Sequence, residues 1–193
     1  MKKSLLALLC LLFAASAFAQ APSRLRGTIV SLNGDVLMLK LRDGRDAQVT
    51  LTPDAAVATA QPAKLEDLKG KYVGVTSVMR GGKPTAVEVH VLPPTAPAGH
   101  TPWDLEPNSS MTNANMEGMA AVAGGNEIHM KYKDGEQKIV VPPTAAIVQF
   151  APGSRADLKP GETVFIVAKP AGGEGKYAAP RVAVSKNGVK PPQ

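Results

Sequence analysis

Four side chains in the middle of the chain could do the most ligand-specific chemistry: His100, Met111, Met116 and His129. Imidazole nitrogen and thioether sulfur together suit Cu(I), and Trp103 stands nearby, so this set is the candidate for a periplasmic soft-metal site. The spacing argues against it. No Met-x-x-Met or His-x-x-His occurs, and methionine fills cores more often than it holds metals. By strand alternation Met130 belongs to a core face, leaving His129 outward with Glu127 and Lys131. No cofactor is expected, and Cu(I) stands as the alternative ligand.

A second constellation surrounds the only tryptophan. Trp103, Asp104, Asn108, Ser110 and Asn113 combine one large aromatic with a carboxylate, amides and a hydroxyl. Such a set is a polar platform for a small ligand or a partner protein. The structural reading is a clamp, in which Trp103 fills a gap and the polar side chains satisfy their own loop. Asp104 and Glu106 could do acid–base work as a pair, but acids beside prolines are more often turn formers. No Gly-x-Ser-x-Gly, His-Glu-x-x-His or Walker motif is present, so an enzyme is not expected. His90, between Val89 and Val91, falls with Glu88 on the outer face of its strand and reads as a surface histidine.

These residues must be positioned by strands. Gly34-Asp-Val-Leu-Met-Leu-Lys-Leu-Arg-Asp-Gly44 alternates, and Gly125-Asn-Glu-Ile-His-Met-Lys-Tyr-Lys-Asp-Gly135 repeats the pattern. Each reads as a half-buried strand, with Leu37, Leu39 and Leu41, or Ile128, Met130 and Tyr132, on the core face. Asn33-Gly34 is expected to turn the chain, and Asp43-Gly44 and Asp134-Gly135 to supply the positive φ angles of type I′ hairpins. The first unit continues with Gln48–Leu51, one or two helical turns within Ala63–Lys69, then Lys71–Val78 and Ala86–Val91. The second unit answers it. Gly118 answers Gly27, Pro143-Thr-Ala-Ala-Ile147 answers Pro53-Asp-Ala-Ala-Val57, and Arg181-Val-Ala-Val184 answers Glu88-Val-His-Val91. Near-constant offsets of this kind mark a duplication.

The expected architecture is therefore all-β: two tandem five-stranded OB-like barrels, each with one short helix between strands three and four. An SH3-like barrel is the runner-up. The first barrel is placed at 25–92, a Pro-rich then structured connector at 93–115, the second barrel at 116–185 and a flexible tail at 186–193.

Residues 1–19 read as a signal peptide. Lys2 and Lys3 precede an apolar run from Leu5 to Phe13, and Ala17-Phe-Ala19 is a small-residue cleavage site. A periplasmic or secreted product starting after Ala19 is expected. It holds no cysteine, the one Cys being Cys10. Removing Lys2 and Lys3 from the 22 basic residues leaves 20 against 16 acidic, a charge near +4. So weak a balance, with sparse aromatics, points away from nucleic acid. No later segment is apolar enough for a membrane span.

The run Arg26-Gly-Thr-Ile-Val-Ser-Leu-Asn-Gly34, with Leu41-Arg-Asp-Gly44, Val49-Thr-Leu-Thr-Pro53 and Leu65-Glu-Asp-Leu-Lys-Gly70, resembles a family of bacterial exported domains with an OB-like small β-barrel. The resemblance covers the first unit well and the second loosely. It implies a fold and an exported location. It carries over no catalytic residues, because its motif consists of turn glycines and core aliphatics. Whole chains similar to this one are often labelled metal ABC transporter permease, which without spanning helices hints at most at a metal context. The function expected is a non-enzymatic binding or scaffolding protein for a periplasmic protein or small ligand.

Overall fold

The computed structural model describes residues 21–192; the leader reading lies outside the described residues. The chain is all-β. The strands are β1 (Ser23–Asn33), β2 (Val36–Leu41), β3 (Asp46–Pro62), β4 (Tyr72–Arg80), β5 (Lys83–Val91), β6 (Gly99–Pro102), β7 (Ser110–Val122), β8 (Gly125–Tyr132), β9 (Gly135–Val141), β10 (Ala146–Pro152), β11 (Thr163–Pro170) and β12 (Lys176–Val184). Where helices were expected there is a single 3-10 turn each, at Leu65–Leu68 and Arg155–Asp157.

Local chemistry sets the turns, with corrections. The β1–β2 hairpin turns on Gly34-Asp35, with Gly34 at φ 59° and Asn33 still paired to Val36. Gly44, at φ 85°, closes a four-residue loop rather than a type I′ turn. Tyr132 pairs with Gly135 across Lys133-Asp134, neither of them at positive φ. Between β4 and β5, Gly81-Gly82 is a two-residue turn with both angles positive.

Pairing gives the main departure. β1 pairs with β2 and β2 with β3, all antiparallel. β3 then runs parallel to β12, β12 antiparallel to β11, and β11 antiparallel to β1, which closes a five-stranded barrel. Three of its strands come from the first half of the chain and two from the second. Its core holds Ile29, Leu37, Leu39, Val49, Leu51, Ile166 and Val182, and Leu158 enters it from the second 3-10 turn. The first unit, 25–92, thus does not close on itself.

The remaining strands form a second set. β4 pairs with β5 and β7, β7 with β8, and β8 with β9, while β5 meets β9 at one parallel bridge, Thr85↔Val140. A separate core gathers Leu65, Leu68, Val73, Val75, Val89, Met116, Ile128, Met130 and Ile139. β3 and β10 link the two sets as an antiparallel pair running from Ala58↔Pro152 to Pro62↔Val148. Gly118, aligned above with Gly27, sits beyond a bulge opposite His129; it is Ala114 that pairs with Val73 as Gly27 pairs with Val164.

Large aliphatics fill the inward faces of both strand sets, so the core pattern by itself does not choose which strands close which set. Burying each large aliphatic contributes roughly 1.5–3 kcal/mol in either arrangement. The tail is also placed. Ser185 donates its backbone N–H to the Thr163 carbonyl, Lys186 pairs with Asp157 at 3.0 Å, and Pro191 and Pro192 are buried.

Candidate functional site

The connector ties the two strand sets together. β6 pairs along β7, with His100 opposite Thr112 and Pro102 opposite Ser110. Beyond it the chain loops tightly: Trp103 N–H donates to the Ser109 carbonyl, and the Ser109 hydroxyl donates back to the Trp103 carbonyl at 2.9 Å. Asn108 sits at φ 60°, a left-handed position that Asn tolerates better than most residues. The loop delivers Trp103 and Asp104 to β1. Arg26 donates to Asp104 at 2.7 Å, Arg24 lies 3.6 Å from the other oxygen, and the Arg24 guanidinium stacks 4.0 Å from the Trp103 ring centre. Partial burial pushes the Asp104 carboxyl up, but the Arg26 hydrogen bond and both guanidinium charges outweigh it and hold the group below the usual range.

A cleft of about 280 Å³ opens where the connector, β5, β10, β11 and β12 converge. Trp103, Phe150 and Phe165 give it aromatic walls, Met111 and Val167 add apolar surface, and Arg181 stands at its exposed mouth. The Arg181 guanidinium lies 5.9 Å from the Phe150 ring centre. Two polar residues of β5 line it as well. Glu88 is buried and accepts a hydrogen bond from Thr76 at 2.9 Å. His90 is 7% exposed, meets the Phe150 ring edge-on at 6.4 Å, and has no hydrogen-bond partner at Nδ1 among the described residues. Burial pushes its pKa down to about 4, so the ring is neutral at pH 7. Gly74 on the neighbouring strand makes the room, since a Cβ there would stand 2.6 Å from His90 Nε2.

His90 and Glu88 therefore correct the surface reading. They do point away from their own core, but that outer face is covered by β10, β12 and the connector. No periodicity within one strand reports what lies on its far side. Of the platform residues, Trp103 and Asn113 reach the cleft. Asp104 stands in its ion pairs, Asn108 in the turn, and Ser110 shares a 3.2 Å hydrogen bond with Ser77; Asn113 donates to the Pro97 carbonyl.

The structure does not gather the soft-metal set. Met116 is fully buried in the second core. His129 lies outside that core and pairs with Glu136 at 3.0 Å. His100 Nδ1 meets the Thr112 hydroxyl at 2.8 Å, and Met111, on the opposite face of β7 from Thr112, lines the cleft. Among the described residues no group of three or more His, Cys, Asp or Glu side chains converges, and no helix is long and apolar enough to cross a membrane.

No protein-family model, curated protein or solved structure matches the chain.

Proposed function

We infer that this chain is an exported, non-enzymatic binding protein whose scaffold is a pair of OB-like barrels with exchanged strands, and whose ligand site is the cleft at their junction. In this reading β1–β3 take the last two strands of the second unit, and β7–β9 take those of the first. The order β1-β2-β3-β12-β11 is that of an OB barrel, with its parallel seam between third and last strands.

The single observation that carries the site is His90 Nδ1: a buried ring nitrogen of a residue lining an aromatic-walled cleft, with no hydrogen-bond partner among the described residues. Leaving a buried polar atom unpaired costs on the order of 1–3 kcal/mol, and a ligand that pairs with it recovers that cost. Ligand sites have this composition of apolar walls and a few placed polar atoms. The acids nearby favour binding over turnover. Asp104 is held by two arginines, which supports a structural role for it, and Glu88 accepts a hydrogen bond from Thr76.

Trp103, the only tryptophan, reports on the cleft directly. Titration with a small aromatic anion such as anilinonaphthalene sulfonate should change Trp103 emission in the native chain, and His90→Leu should weaken that binding. Unchanged emission at saturating dye would contradict the assignment.

A further inference from the structure

We propose that the ligand class of this cleft is an extended peptide with adjacent prolines, and that the chain's own Pro191-Pro192 is a tethered competitor for it. The proposal rests on the cleft being the ligand site. What carries it further is the course of the tail. After β12, Ser185 is fixed by its hydrogen bonds with Thr163, and Lys186 by its ion pair with Asp157. Asn187 and Gly188 then both adopt positive φ, 51° and 81°, and Lys186 bridges to Val189 in both directions. That is a type I′ reversal, which Asn-Gly makes at least cost. It sends Lys190, Pro191 and Pro192 back over the barrel. Pro191 and Pro192 end buried, and Pro192 forms part of the cleft wall with Trp103, Phe150 and Phe165.

Two consecutive prolines lock φ near −65° and favour the polyproline II conformation, which loses little entropy on binding. Aromatic-lined grooves are the surfaces that take such segments, with the rings packing against flat side chains. The walls here supply that chemistry. Arg181 at the mouth and His90 Nδ1 inside can each donate to carbonyl oxygens, which proline-rich backbone leaves unpaired. A segment tethered by a short turn acts at an effective concentration in the millimolar range, so it holds off a free peptide of modest affinity.

The test uses the whole mature chain, the Pro191→Gly/Pro192→Gly variant and a synthetic Val-Lys-Pro-Pro peptide, with Trp103 emission as readout. The variant should bind the peptide about tenfold more tightly than the native chain. Gly188→Val, which strains the turn that aims the tail, should shift affinity in the same direction. Equal affinity for native and variant chains would overturn the competitor role. Failure of the peptide on every chain, while the aromatic anion still changes Trp103 emission, would overturn the peptide class and leave the cleft as a ligand site. Failure of both probes would remove the site as well.

Discussion

Ala60 and Phe150 lie opposite each other at the centre of the antiparallel pair of β3 and β10. The alignment of Pro53–Val57 with Pro143–Ile147 makes them the same position of the two units. The registers on either side agree: Val182 lies beside Val57 on parallel strands, as Val89 lies beside Ile147. Under the proposed duplication, a residue that meets its own counterpart marks a local two-fold, the point where each unit crosses into the other. The symmetry breaks at one side chain. Ala60 is small and 1% exposed, whereas Phe150 projects into the cleft.

Phe150→Ala would make the crossing symmetric and remove one wall. Because the ring is only partly buried, we expect a loss of about 1–2 kcal/mol, below the 3–5 typical of a core phenylalanine. Urea denaturation measures it. A loss above that range would mean the ring supports the crossing itself rather than the cleft.

His90 predicts an acid sensitivity with a defined window. Its folded pKa of about 4 lies below the ordinary 6.5, so the unfolded chain binds the extra proton first. Stability from the neutral ring is complete above pH 6.5, falls as the pH drops towards 4, and amounts to roughly 3 kcal/mol across the window. Asp43, Asp104 and Asp157, all held below the usual carboxylate range, lose their contributions at lower pH. The difference between native and His90→Leu chains, followed by urea midpoint from pH 7 to 4.5, isolates the histidine. Parallel curves would contradict the burial of the ring.

Asp104→Ala should loosen the connector. Arg26, with its side chain 8% exposed, would lose its carboxylate, while the Arg24 contact is solvated. Since Asp104 itself is half exposed, we expect about 1–2 kcal/mol rather than the cost of breaking a fully buried pair. Trp103 emission should shift to the red as its stacked arginine is freed. Emission that stays fixed would show that Trp103 is held by other contacts.

Leu37→Ala and Ile128→Ala each empty a fully buried position, one in either core. Each should cost about 2–5 kcal/mol. Because each core draws strands from both halves of the chain, calorimetry should show one transition shifted in both variants. Two transitions, only one of which moves, would speak for independent barrels.

The strands were legible in the sequence because period-two alternation and turn glycines act over a few residues. Leu37, Leu39, Ile128 and Met130 are core residues as read. Closure was not legible. The inward faces of Val73–Val75 and Val164–Ile166 carry equivalent side chains, so the pattern is indifferent to which unit supplies the last two strands. The same indifference hid the site. His90 reads as surface until β10 and the connector cover it, and Pro191-Pro192 reads as a frayed end until Asn187-Gly188 turns it inward. That dipeptide was the available signal.

The exchange itself is the central claim, and one cross-link tests it. Arg24 pairs with Val167 across β1 and β11, both side chains are exposed, and Cys10 is the only cysteine of the sequence. In the mature Arg24→Cys/Val167→Cys chain a disulfide should form under mild oxidation. After cleavage at a protease site placed within residues 94–97, the two pieces should then run as one species on a non-reducing denaturing gel. Free thiols and two separate pieces would show that each unit closes its own barrel.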